Sequence, residues 1–269
     1  MGNICIICKN KFAEKREFCT NCYSRGLRHG TIQRLKKPEL PRLLDDCQKQ
    51  VLLGLLLGDG CLFKAKNATH PFLSITRAKK DIAYLQWQYD VFKAFCMSGV
   101  SEREIHDKRT NKTYQQVKVA TRRALVFEQY YCDWYGNGKK SVPRTLNLSP
   151  LTNAIWFCDD GCITRKTKTR LLLKLSTHGF SFDDVEYLKD ILDRRFGEKF
   201  LIYKDSCGPF IYASDNGARA FVREIDSYIP DSMTRKVKWR DSEVELFSLK
   251  RAKNYINVNG VRQYDVSNQ

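Results

Sequence analysis

The sequence contains no uninterrupted apolar run of the roughly 18–20 residues a membrane span requires. The start, MGNICIICKN, lacks the long apolar stretch of a secretory signal. These absences predict a protein that neither crosses nor enters a membrane. They point to an intracellular setting, without separating mitochondrion, chloroplast and prokaryotic or phage-host cytoplasm. Glycine and proline are sparse, at 15 and 7 of 269 residues, which excludes a collagenous or low-complexity chain. Acidic residues are in deficit: 30 Asp+Glu stand against 47 Lys+Arg, a formal charge of +17. Such an excess favours a polyanionic partner, nucleic acid before any lipid surface. The eleven cysteines are an odd number, so full pairing into a disulfide scaffold is excluded.

Four of those cysteines are organised. Cys5 and Cys8 (CIIC) and Cys19 and Cys22 (CTNC) form two close pairs separated by ten residues. Two such pairs can set four thiolates tetrahedrally around one structural Zn²⁺, leaving no open position for catalysis. The surrounding segment is short and polar, so the metal would supply much of its folding energy. The remaining seven sit singly among apolar residues and read as small core hydrophobes.

Residues 1–45 carry a net charge of +6, residues 46–147 +8 and residues 148–269 +3. The charge is thus concentrated in the first half. The segment SRGLRHGTIQRLKK follows the cysteines, and Pro38 and Pro41 mark a junction after it. Four pieces are expected: a four-Cys module with a basic linker (1–45), two similar units (46–147 and 148–240) and a tail (241–269).

The two central units read as copies. KQVLLGLLLGDGCL (49–62) and LTNAIWFCDDGCI (151–163) are nearly all-apolar helices, each ending Asp-Gly-Cys-aliphatic, with Asp59 and Asp160 lying 101 residues apart. That separation suits a duplicated unit of domain size. Each helix is followed by PFLSITR (71–77) or RLLLKLST (170–177) as a strand. An amphipathic helix comes next (79–95 or 181–197), then two more strands and a closing helix. Both units therefore read α-β-β-α-β-β-α, an α+β fold whose sheet is covered on one face. Ser74, Thr76, Gln116, Lys118, Lys174 and Ser176 occupy same-parity strand positions opposite Leu, Ile and Val, which puts a row of polar groups on the open face.

A helix with no polar side must be buried all round, and Gly54 and Gly58, four apart, permit a second backbone to come close. Each such helix ends in an acid placed against the helix dipole. If the two helices pack in parallel, Asp59 and Asp160 meet, and two carboxylates in contact call for a cation between them. Hard oxygen ligands and a phosphodiester substrate point to Mg²⁺.

LLGLLLGDG (52–60) and NAIWFCDDG (153–161) resemble the motif that names the LAGLIDADG homing endonucleases, in their single-chain, two-motif, mitochondrial intron-encoded form. GKKSVPRTL (138–146), STHGFSFDDVEYLKDIL (176–192) and YIPDSMTRK (228–236) resemble further parts of that subgroup. The resemblance implies two pseudo-twofold αββαββα units, with the motif helices at their interface and two four-stranded sheets saddling the DNA. It implies a monomer that hydrolyses both strands of a long duplex target and leaves short 3′ overhangs. Asp59 and Asp160 would hold two or three Mg²⁺ ions. Gly58 and Asp159 are weaker candidates for that site, Asp159 being expected to face solvent. Solvent-positioning cations would be Lys139 or Lys140, and Arg235 or Lys236. Base and phosphate contacts would come from the polar sheet positions, from Arg77 and from Lys64, Lys66, Arg165, Lys166 and Lys168 in the turns. The front piece would add Arg28, Arg34, Lys36 and Lys37 along the backbone. Intron RNA is the second partner considered, through a maturase on the same fold, and a cleavage-silent DNA-binding protein is the third reading. The ends of the chain show no intein splice junction, so an intron-encoded or free-standing protein is expected.

Overall fold

The computed structural model describes residues 4, 8, 19–31, 38–136, 138–165, 170–237, 255–258 and 261–264. The chain divides into two compact units, Met1–Leu40 and Pro41–Gln269. In the first, helix α1 (Thr20–Arg28) starts directly after Cys19 and ends in Arg25 and Arg28.

The second unit holds two sets of elements in the same order. The first set is α2 (Asp46–Leu57), β1 (Cys61–Phe63), β2 (Phe72–Ala78), α3 (Ile82–Phe92), β3 (Ser101–Asp107), β4 (Lys112–Ala120) and α4 (Glu128–Tyr135). The second is α5 (Pro150–Asp160), β5 (Gly161–Arg165), β6 (Leu171–Ser176), α6 (Phe182–Phe196), β7 (Leu201–Asp205), β8 (Gly208–Ser214) and α7 (Asp215–Ile225). Each set forms a four-stranded antiparallel sheet, ordered β1-β2-β4-β3 and β5-β6-β8-β7. The expected α-β-β-α-β-β-α order is therefore present twice. A short hairpin, β9 (Tyr255–Val258) and β10 (Val261–Tyr264), lies in the C-terminal segment.

Local chemistry starts the central helices. Asp45 caps α2 with a reciprocal bond pair to Gln48, and Ser149 caps α5 just ahead of Pro150. Ser181 accepts from the Asp184 N–H at the start of α6, and α6 ends at Gly197 in the left-handed conformation at φ 63°.

α2 and α5 pack against one another as a parallel pair. Val51, Leu52, Leu55, Leu56 and Leu57 on one and Leu151, Ala154, Ile155, Trp156 and Phe157 on the other are essentially inaccessible. Near the entry of the pair, Thr152 Oγ1 donates to the Gln50 carbonyl at 3.1 Å and Ser149 Oγ donates to Gln50 Oε1 at 2.6 Å. Gly54 sits where a Cβ would lie 2.6 Å from Ile155 Cβ and 2.7 Å from the Thr152 carbonyl oxygen. Only glycine allows that approach.

On the sheets, burial alternates as the sequence parity requires. Leu73 and Ile75 of β2, Val117 and Val119 of β4, and Leu171, Leu173 and Leu175 of β6 point into the core. Ser74, Thr76, Gln116, Lys118, Lys174 and Ser176 lie on the other face, partly accessible. The register sets Thr76 opposite Lys118, Lys118 opposite Ser101, and Gln116 opposite Arg103.

Candidate active site at the helix seam

The parallel packing of α2 and α5 delivers Asp59 and Asp160 to one place, where the charges of Asp59 and Asp159 act on Asp160. Burial, reinforced by those two carboxylates, pushes the Asp160 carboxyl up to about 7, although Lys140 and Lys236 pull it down. The Asp59 side chain is about half exposed, at 47 %. Asp160 lines a cleft of about 150 Å³ together with Gly58, Lys140, Ser176, Thr177, His178 and Phe180, among others.

Two lysines take matching places. Lys140 Nζ donates to the carbonyls of Gly58 and Gly60 at 3.2 and 3.1 Å, at the end of α2. Lys236 Nζ donates to the carbonyls of Phe157, Asp159 and Gly161 at 3.2, 3.3 and 2.9 Å, at the end of α5. Each ammonium thus meets the negative pole of its motif helix. Burial lowers both lysines from the ordinary range, against the attraction of nearby acids. The structure distinguishes the members of each pair. Lys139 is exposed, whereas Arg235 turns away to Asp81 Oδ1 at 2.6 Å and to the Ser232 carbonyl. Lys140 and Lys236 are the residues at the seam.

Two expectations are corrected. Arg77, expected to read bases, has the parity of Leu73 and Ile75 and is buried, its side chain 5 % exposed. Its Nη1 donates to Asp59 Oδ2 at 3.0 Å, its Nη2 to Asp159 Oδ1 at 2.7 Å and its Nε to Gln88 Oε1 at 2.9 Å. Asp159, expected to face solvent, has a fully buried side chain. Its Oδ1 also accepts from Tyr84 at 3.1 Å, and its Oδ2 accepts from the Asp59 N–H at 3.0 Å. Both oxygens are taken, which leaves Asp159 a structural acid rather than a ready metal ligand. Burial opposes the Arg77 charge, but Asp159, Tyr84 and Asp59 outweigh it and hold the guanidinium charged. Burial also raises the Asp159 carboxyl, with Arg77 acting against it. Gly58 contributes a close approach: a Cβ there would lie 2.4 Å from Asp159 Cβ.

Of the other candidate contacts, Arg28 and Lys66 are exposed. Lys64 is ion-paired to Glu128, which also meets His70 Nδ1 at 3.2 Å. Lys174 pairs with Asp205 at 3.0 Å and lies 4.0 Å from the Phe210 ring centroid. Cys5, Arg34, Lys36, Lys37, Lys166 and Lys168 fall outside the described residues, as does the Arg165 side chain. Arg103, Tyr84 and Gln88 are not singled out by the sequence. Arg103 donates to Gln116 Oε1 at 3.1 Å on the open face, and its parity with Ser101 was the available signal. Tyr84, inside an apolar helix, gave none.

In the first unit, the sulfurs of Cys8, Cys19 and Cys22 lie within 4.8 Å of one another, with Cys8 Sγ 3.7 Å from Cys19 Sγ. That spacing fits thiolates on one tetrahedral ion, since Zn–S bonds of about 2.3 Å put sulfurs about 3.8 Å apart. Cys19 and Cys22 stand at the N-terminal end of α1.

Paired helix–sheet units that share a buried helix seam, with one acid and one lysine from each half at its end, define a pseudo-twofold scaffold with a paired carboxylate–lysine centre. Residues 49–221 match the model of the LAGLIDADG DNA endonuclease family, and the chain belongs to that family. It is 30 % identical over 205 residues to a probable intron-encoded endonuclease of Wickerhamomyces canadensis, spanning 72 % of this chain and 85 % of that one. It is 26 % identical over 200 residues to the cytochrome b mRNA maturase bI2 of Debaryomyces hansenii, spanning 72 % and 74 %. Among solved structures, the homing endonuclease I-WcaI bound to its DNA recognition sequence superposes with a TM-score of 0.68 at 25 % identity, covering 74 % of this chain and 89 % of that one.

Proposed function

We propose that this protein is a sequence-specific homing endonuclease, acting as a monomer, that hydrolyses both strands of a long duplex and leaves short 3′ overhangs. The observation that carries the reading is the pair Asp59 and Asp160 at the joined ends of two buried helices, each beside its own lysine. The donor set fits Mg²⁺: the carboxylates are hard oxygen ligands, and Asp160 is crowded by like charge that a cation relieves. Asp59 and Asp160 would hold two or three such ions, whose chemistry is Lewis-acid activation of water and of the scissile phosphate. The chain's own residues do the rest. The two open sheet faces fix the duplex in register through Ser74, Thr76, Gln116, Lys118 and Arg103 on one side and Lys174 and Ser176 on the other. Lys140 and Lys236, tied to the helix-end carbonyls, orient solvent and balance the negative charge that develops at phosphate. The cysteine module would hold one zinc and lay basic residues on the backbone, adding salt-dependent affinity.

The test is a duplex selected by binding from a random pool, incubated with Mg²⁺ or Ca²⁺. Paired cuts with a 3′ stagger in Mg²⁺ alone support the reading. The maturase reading has its own observation, the similarity to a named mRNA maturase. A duplex that is bound but never cut, with splicing of an intron RNA by the same protein, would favour it.

Two smaller predictions arise here. Lys140→Met and Lys236→Met are each expected to slow single-turnover cleavage on the order of 10²-fold with unchanged duplex affinity. Arg235→Met should leave the rate within about threefold, since Arg235 meets Asp81 and not the seam. Equal losses for Arg235 and Lys236 would contradict the assignment. Cys19→Ser should lose about one equivalent of zinc by elemental analysis and weaken duplex binding about tenfold, with the melting of the α2–α5 unit unchanged.

A further inference from the structure

The Arg77–Asp159 bridge has no counterpart across the pseudo-twofold. The strand register equates Cys61, opposite Ser74, with Cys162, opposite Lys174. Three residues further along each strand direction stand Arg77 in the first half and Thr177 in the second. Thr177 is buried and donates to the Pro209 carbonyl at 2.9 Å. Likewise Asp159, which precedes the last acid of the second motif, stands where the first motif has Gly58. The bridge is therefore made of two one-sided residues, an arginine from the first half and an aspartate from the second.

Its reach falls on one of the two acids. Arg77 Nη1 occupies Asp59 Oδ2 at 3.0 Å, while Nη2 is anchored on Asp159, Nε on Gln88, and the guanidinium carbon lies 4.3 Å from the Tyr84 ring centroid. Four groups thus over-determine the position of one buried cation. Among the described residues, no hydrogen-bond donor meets the Asp160 carboxylate.

We infer that Arg77 is a positioning residue that makes the two catalytic half-sites unequal: it fixes the rotamer of Asp59 and uses one of its oxygens, so a hard cation is taken more tightly by Asp160 than by Asp59. A charge-assisted bond must be loosened, and a fixed positive charge faced, before Asp59 can offer both oxygens. Asp160 also faces cations, Lys140 and Lys236, but commits neither oxygen to a hydrogen bond among the described residues. This rests on the proposed cation-dependent endonuclease, and it adds that the first half differs from the second by design of the Arg77–Asp159 pair.

The probe is terbium(III), a hard ion that prefers carboxylates to the module's thiolates, followed by luminescence excited through the protein's aromatic residues. In the full chain, Asp160→Asn leaves Asp59 as the ligand, and Asp59→Asn leaves Asp160. The Asp59→Asn protein is expected to bind at least about tenfold more tightly than the Asp160→Asn protein. Adding Arg77→Thr with Asp159→Ala, which gives the first half the residue of the second at one position and removes the bridged acid, should close that gap to within about threefold. If that combination fails to fold, Arg77→Lys keeps a charge but cannot span two carboxylates, and should narrow the gap at least threefold. A gap that survives both changes, or tighter binding at Asp59, overturns the inference while leaving cleavage untouched. Absence of ion binding at either acid overturns both the inference and the cation-dependent reading. Cleavage of the selected duplex, measured separately, tells the two failures apart.

Discussion

Asp160→Asn is expected to lower strand scission by on the order of 10³-fold or more while leaving the fold intact. The side chain is buried enough, and close enough to Asp59 and Asp159, that its carboxyl is pushed up to about 7. Its charge is therefore held at a cost, which a cation and a phosphate diester would offset and a neutral amide would not need. The exchange to Asn relieves that cost, so stability should hold or rise. A loss of several kcal/mol of transition-state stabilisation corresponds to about three powers of ten in rate. Single-turnover cleavage and a thermal melt on the same preparation check both halves of the expectation. Retained cleavage within tenfold would remove Asp160 from the catalytic centre.

Gly54→Val is the second large effect, and it is one of folding. Even a single added carbon would sit 2.6 Å from Ile155 Cβ and 2.7 Å from a backbone oxygen of α5, neither of which is a flexible side-chain end. The helices must separate, and with them the acids they carry. Overpacking of this kind costs roughly 3 kcal/mol or more. For a unit of this size that lowers the melting temperature by about 6–12 °C. Gly99→Ala is the control, since nothing lies within 4 Å of a Cβ there; its melt should be unchanged. A Gly54→Val protein with the wild-type melting temperature would contradict the close packing on which the site depends.

Much of this arrangement was legible in the sequence, for definite physical reasons. An all-apolar helix has to be buried, and two of them ending in the same tetrapeptide pattern have to meet if the units are copies. Alternation in β2, β4 and β6 located the open faces because one core-facing side chain per two residues is a strong constraint. The same rule, applied strictly, would have placed Arg77 inside: it shares parity with Leu73 and Ile75. Charge suggested a surface reader; register overruled it, because a partner carboxylate lay within reach at Asp159. That partner is 82 residues away and could not be seen locally. Lys140 and Lys236 were likewise chosen over their neighbours by the direction of a loop and a 3₁₀ turn, Asp231–Lys236, which periodicity does not report.

Endonuclease action through Asp59 and Asp160 is tested by sequencing the duplex ends left after a random or genomic DNA pool is incubated with the protein and Mg²⁺, beside an Asp59→Asn preparation. The wild-type chain is expected to cut one long site on both strands at a fixed 3′ stagger, and the Asp59→Asn preparation to yield no such ends. Ends that persist with Asp59→Asn, or a protein that holds its duplex and yields no ends in Mg²⁺ or Mn²⁺, would contradict endonuclease action through these acids.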